Sequence, residues 1–138
     1  MIIGIDPDVD KSGVAIKTKE GIVLKSMPFF DLLDFLLAEK DNITNVMLEW
    51  CWHNKKGNYY GGNERVSANI GKGVGRNHQV GRLIEIWCKR HTIPYTLRKP
   101  LKKIWKKGKI SHEELMCITK LGLKRTNQEV RDACLLIL

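Results

Sequence analysis

The chain has 138 residues, 43% of them hydrophobic, and carries 24 Lys plus Arg against 15 Asp plus Glu, for a net charge of +9. Its size predicts one domain, residues 1–138, that buries roughly two-thirds of its unfolded surface without a disulfide staple. No apolar run approaches the roughly 20 residues that span a bilayer, and Asp6 interrupts the first apolar run before a signal-peptide core of about 7–15 residues can form.

A cytosolic protein with no membrane association is therefore expected. Cys51, Cys88, Cys117 and Cys134 show no CxxC spacing and read as reduced, buried thiols. His53, His78, His91 and His112 are equally dispersed, which argues against a zinc site. The positive balance favours a polyanionic partner, because Arg98 to Lys109 (RKPLKKIWKKGK) holds seven Lys or Arg in twelve residues with no acid.

The opening stretch, MIIGIDPDVDKSGVAI, begins as a buried strand (Ile2, Ile3, Ile5) that stops on Asp6. Asp8, Asp10, Ser12 and Gly13 supply turn chemistry, and Gly13 to Ile16 returns as a hairpin partner. Gly21 to Met27 reads as a third strand. Pro28 starts a helix with Phe29, Leu32, Leu33, Leu36 and Leu37 at spacings of three and four. Asn45 to Glu49 is another short buried strand, and it too ends on a carboxylate. Its strand-helix-strand connection implies a parallel crossover beside the first strand.

Trp50-Cys51-Trp52-His53 precedes a glycine-rich loop, Asn54 to Glu64, whose Lys55, Lys56, Tyr59 and Tyr60 suit an arm that stacks on bases and contacts phosphates. A plain surface excursion is the alternative. Val66 to Arg90 reads as a long helix; its Gly71, Gly73, Gly75 and Gly81 are costly there and predict close approach of another backbone. The segment GKGVGR lacks the preceding strand and Lys-Ser/Thr ending of a phosphate loop, so no organic cofactor is expected. Thr92 to Leu97 is a last strand, with Pro94 placing it at an edge. Pro100 opens a short basic helix through Trp105. Ser111 and Glu114 form a capping-box pattern for a helix reaching Leu121, with Leu115, Met116 and Ile118 inward and Gly122 stopping it. Thr126 or Asn127 caps a final helix with Val130, Ala133, Cys134, Ile137 and Leu138 on its apolar face.

In that last helix Glu129 and Asp132 stand at i and i+3, so both project from one side of its first turns. Alone, they could simply complement the helix dipole. Together with Asp6 and Glu49, each at the end of a buried strand, they form a set of four carboxylates inside a basic protein. Such oxygens suit Mg²⁺, with Mn²⁺ as a substitute, and the gathered acids would repel one another without a cation. Two ions roughly 4 Å apart would support phosphodiester hydrolysis, so the pattern predicts a nuclease.

The opening IGIDPxxxxSGVAI, Glu49 with an aromatic three residues later, and the closing NQEVRDA resemble the RuvC-type Holliday junction resolvases of the ribonuclease H-like superfamily, in a compact, phage-like form. The resemblance spans essentially the whole chain. It implies an α/β, ribonuclease H-like fold: a five-stranded mixed sheet, an antiparallel meander continued by parallel strands, with helices on both faces. It makes Asp6, Glu49, Glu129 and Asp132 the metal-binding catalytic acids of a crossover junction endodeoxyribonuclease and Trp52 an aromatic that wedges into unpaired bases, a core position being the alternative. Lys102 matches a transition-state-stabilising lysine, with Lys103 one register away and Lys106, Lys107 and Lys109 as further phosphate contacts.

A homodimer built through the glycine-marked helix, cutting paired strands of branched DNA, is also implied, in the cytoplasm of a bacterial host if phage-encoded. The alternatives are a looser branched-DNA or RNA-DNA hybrid nuclease, and a junction-binding module that does not cut. The chain departs from the family in Asp8 where glycine is usual, in Glu129 where Asp or His is common, and in His112 near the place of a second basic residue.

Overall fold

A computed structural model describes residues 1–53, 64–99 and 109–138. Strands β1 (Ile2–Asp6), β2 (Ser12–Lys17), β3 (Ile22–Met27), β4 (Asn45–Glu49) and β5 (Tyr95–Arg98) form one sheet in the order β3-β2-β1-β4-β5. β1, β2 and β3 pair antiparallel through short turns, and β4 and β5 continue beside β1 in parallel. Parallel neighbours require a crossover, supplied by helices α1 (Phe29–Ala38) and α2 (Glu64–Arg90). The mixed sheet is the one the sequence predicts.

Strand alternation sorts the side chains onto two faces. Ile3, Ile5, Val14, Ile16, Val46 and Leu48 are buried on one face against Leu32 and Leu36 of α1 and Val80, Ile84 and Cys88 of α2. The intervening Ile2, Ala15, Leu24 and Met47 face the other way. They pack against Leu115 of α3 (His112–Thr119), Ala133 and Cys134 of α4 (Gln128–Leu135), and Ile137 beyond it. Helices thus cover both faces, and the second face carries the ends of β1 and β4 toward α4.

α4 lies directly on the sheet where that face has glycine. A Cβ at Gly4 would meet the Ala133 carbonyl oxygen and stand 2.9 Å from the Ile137 side chain, and a Cβ at Gly13 would meet the Glu129 carbonyl. Gly13 is the cross-strand partner of Asp6. The same contact that lets α4 down onto β2 therefore sets its first turn over the end of β1.

Several local expectations shift. The last strand begins at Tyr95, because Thr92 adopts φ 58° and Ile93 N–H donates to the Cys88 carbonyl at 2.9 Å, a left-handed closure of α2 that a strand could not contain. β5 is an edge strand, as Pro94 predicts. The Ser111–Glu114 capping box forms, but α3 ends at Thr119 with Lys120 at φ 58°, so Ile118 and Cys117 point to solvent instead of inward. Asn127 is the N-cap of α4, accepting from Val130 N–H at 3.0 Å. That helix stops at Leu135, leaving Leu138 exposed.

Gly81 is explained by an approaching side chain, not backbone: its Cβ would meet the Trp52 ring. Gly75 has nothing within 4 Å. The basic helix expected from Pro100 to Trp105 lies outside the described residues, as does the loop expected over Asn54 to Glu64 except for Glu64 itself, which opens α2. No described helix is long and apolar enough to cross a membrane.

Gly13→Ala is expected to destabilise the fold by about 1–3 kcal/mol, because the added methyl must push α4 backbone away. Urea unfolding followed by circular dichroism measures it, and a midpoint equal to wild type would show that α4 is not seated through this contact.

Candidate active site

Four acids from three elements meet at one edge of the sheet. β1 and β4 are parallel neighbours with Ile5 beside Leu48, so Asp6 and Glu49 end adjacent strands side by side. Ile5 and Leu48 point to the α1 and α2 face, and alternation turns Asp6 and Glu49 toward α4. Glu129 and Asp132 come down from the first turns of α4, whose seat on Gly13 brings them within electrostatic reach of Asp6.

The Asp6 carboxyl is held far above the usual carboxylate range. Burial is the largest cause; a side-chain hydrogen bond with Glu49 and the charges of Glu49, Asp132 and Glu129 add to it. Asp6 accordingly keeps a proton and donates it to Glu49. Burial and the neighbouring charges of Glu49 and Asp6 also push the Cys51 thiol up to about 12, so Cys51 beside the site stays a neutral thiol.

This is a set of hard oxygen donors, the chemistry that Mg²⁺ and Mn²⁺ select. Among the described residues, no three His, Cys, Asp or Glu side chains stand ready to hold one cation together as they are oriented. The protonated form of Asp6 moderates the repulsion that a bound cation would otherwise relieve. The donor set fits a divalent ion, and taking one up requires that the proton leave and the carboxylates turn.

The turn after β1 is braced from a distance. Asp8 accepts from Asp10 N–H at 3.0 Å and from the Asn77 amide of α2 at 3.0 Å, while the Asn77 carbonyl oxygen accepts from Val9 N–H at 3.1 Å. Asp8, standing where the resembled family has glycine, is thus committed to the turn and to α2. Trp52 is half-buried against the core, and a Cβ at Gly81 would meet its ring and stand 3.3 Å from Pro7 Cγ. In this placement the indole and Pro7 both lie against α2 at Gly81.

Lys109 is described and exposed; Lys55, Lys56, Tyr59, Tyr60, Lys102, Lys103, Lys106 and Lys107 lie outside the described residues. Three features escape sequence reasoning. Arg98 is the register partner of Glu49 on β5 and is exposed, so a guanidinium stands at the same edge as the acids. Asn77 clamps the turn. Gln128 donates to Asp132 at 2.7 Å and accepts from Arg131 at 2.9 Å. The available signals are the i to i+4 spacing of Gln128 and Asp132 and an Asn within the long helix.

No family model and no curated protein matches the sequence. Among solved structures the chain is similar to RuvC of Thermus thermophilus in complex with Holliday junction substrate, at 14% identity and TM-score 0.48, covering 96% of this chain and 87% of that one. It is also similar to a structure of Thermus thermophilus RuvC, at 16% identity and TM-score 0.44, with the same coverages.

Asp6 makes the metal-free protein less stable as pH rises. The unfolded chain releases this proton near 3.8 while the folded chain retains it, so stability falls from that pH upward through neutrality. Asp6→Asn is expected to raise the stability of EDTA-treated protein by on the order of 2 kcal/mol at pH 8 and to make little difference at pH 4. Urea titrations of both proteins across that range measure the gap, which should widen with pH.

Proposed function

We propose that residues 1–138 form a RuvC-type nuclease domain that resolves Holliday junctions or other branched DNA by paired phosphodiester hydrolysis. The observation that carries this reading is the gathering of Asp6, Glu49, Glu129 and Asp132 at one sheet edge of a chain with net charge +9. Those four residues would hold Mg²⁺ or Mn²⁺, two ions per site. Metal bound there would supply Lewis-acid activation of water and neutralise charge on the phosphodiester.

The chain's own part is to hold acids and bases of opposite duty at one edge. Asp6 and Glu49 are fixed by a buried strand pair, which limits their drift. Glu129 and Asp132 ride on α4 and are set by its glycine seat. Arg98 and Lys109, with Lys102, Lys103, Lys106 and Lys107, supply positive charge for the phosphate backbone, and Lys102 is assigned to the transition state. Lys55, Lys56, Tyr59 and Tyr60 of the loop would contact the DNA arms. For Trp52 to wedge between bases, its ring must withdraw from Gly81.

Junction selectivity on this reading comes from a homodimer formed through α2, whose Leu83 and Ile86 are 39% and 57% exposed on its outward side. A large apolar side chain left in solvent at both positions is consistent with burial against a second copy.

A cleavage panel of four-way, three-way, nicked and RNA-DNA hybrid substrates tests the activity. Wild-type protein is expected to cut four-way junctions in Mg²⁺, and Asp6→Asn to bind the same junctions while losing at least about a thousandfold in cutting, the scale on which removal of a central electrostatic group acts. Preference for hybrids would favour the looser nuclease. Binding without cutting by wild type in Mg²⁺ or Mn²⁺ would make the chain a binding module. For the dimer, Ile86→Glu is expected to halve the mass measured by light scattering and turn paired cuts into single nicks; an unchanged mass would move the interface off α2.

A further inference from the structure

Gln128 stands on the first turn of α4, one turn before Asp132, and its amide donates to Asp132 Oδ1 at 2.7 Å. A Gln and an Asp at i and i+4 often make such a bond on an isolated helix, where it contributes little. Here the amide is held from its other end. Arg131 Nη2 donates to Gln128 Oε1 at 2.9 Å.

That second bond decides which way the amide faces. A guanidinium has only donors, so it can meet only the oxygen of Gln128, and the amide nitrogen must then face Asp132. Released from Arg131, the amide could turn over and set its oxygen against a carboxylate oxygen, acceptor against acceptor.

Arg131 is itself fixed outside this helix turn. Its Nε donates to the Ile110 carbonyl at 2.9 Å, and its Nη1 donates to the Thr126 carbonyl at 2.6 Å and the Thr126 hydroxyl at 3.2 Å. Ile110 is 1% exposed and immediately precedes the capping box of α3. The Thr126 hydroxyl also meets His112 Nδ1 at 3.0 Å. A chain of directed bonds therefore runs from the packed start of α3 to one of the four acids.

We infer that Gln128 and Arg131 are positioning residues that orient Asp132 for a divalent cation, an inference that rests on the metal-dependent reading of the site. The neutral amide between them is the essential part. An arginine bonded directly to Asp132 would bring a full positive charge into competition with the cation. Relayed through Gln128, the guanidinium fixes the direction of the bond to Asp132 and polarises its donor.

The test measures Mn²⁺ binding to DNA-free protein by electron paramagnetic resonance of the free ion, beside thermal unfolding in EDTA. Gln128→Leu is expected to weaken Mn²⁺ binding about tenfold or more while leaving the EDTA unfolding temperature close to wild type. Arg131→Met should weaken it similarly, and the double variant should lose no more than the weaker single variant, because both act along one path. Arg131→Lys keeps the charge but cannot span the two carbonyls and the amide, and it should resemble Arg131→Met.

Wild-type affinity in Gln128→Leu would overturn the inference, as would full retention in Arg131→Lys or additive losses in the double variant. If unmutated protein takes up no Mn²⁺, the metal-dependent reading itself fails, and that outcome is distinct because it precedes any substitution.

Discussion

The site depends on how closely α4 can lie on the sheet. Gly4 and Gly13 leave no side chain between β1, β2 and the backbone of α4 at Ala133 and Glu129. With any larger residue at Gly13 the first turn of the helix would ride higher, and Glu129 and Asp132 would move away from Asp6. A packing decision on one sheet face is therefore also an electrostatic decision at its edge. The opposite face, closed by branched side chains against α1 and α2, gives the rigid ground on which that edge is built.

Bringing four carboxylates together works against the fold, and the structure shows how the strain is taken up. Burial, the hydrogen bond with Glu49 and the neighbouring charges all favour the protonated form of Asp6, which neutralises one member of the set. The surrounding turn is then secured by groups that stay out of the cluster: Asp8 with Asn77, Ser12 beneath the turn, and Trp52 against Gly81. Stability withheld at the acids is supplied by the packing around them.

The sheet and the acids were legible in the sequence because both follow from short-range patterns. Apolar runs that stop on Asp6 and Glu49 mark strand ends, and period-two alternation then dictates that neighbouring parallel strands present them together. Glu129 and Asp132 declare themselves by helical spacing after an Asn cap. What stayed hidden depends on contacts between distant segments. Nothing local indicates that Thr92 turns left-handed to close α2, that Ile118 and Cys117 face water once α3 ends at Thr119, or that Asn77 reaches back to Asp8. The glycines of α2 drew attention, yet only the partner of Gly81, a Trp ring from another element, explains why one of them is needed.

Arg131 shows the same division most sharply. Read along the chain it is a cation between two acids, the ordinary makings of a helical ion pair. In the fold its guanidinium turns away from that role and binds the carbonyls of Ile110 and Thr126 and the amide oxygen of Gln128. A charged side chain pays less for burial when its donors meet backbone oxygens, and once so occupied it no longer needs a carboxylate partner. The arrangement keeps a positive charge near the cluster, where it moderates the repulsion among the acids.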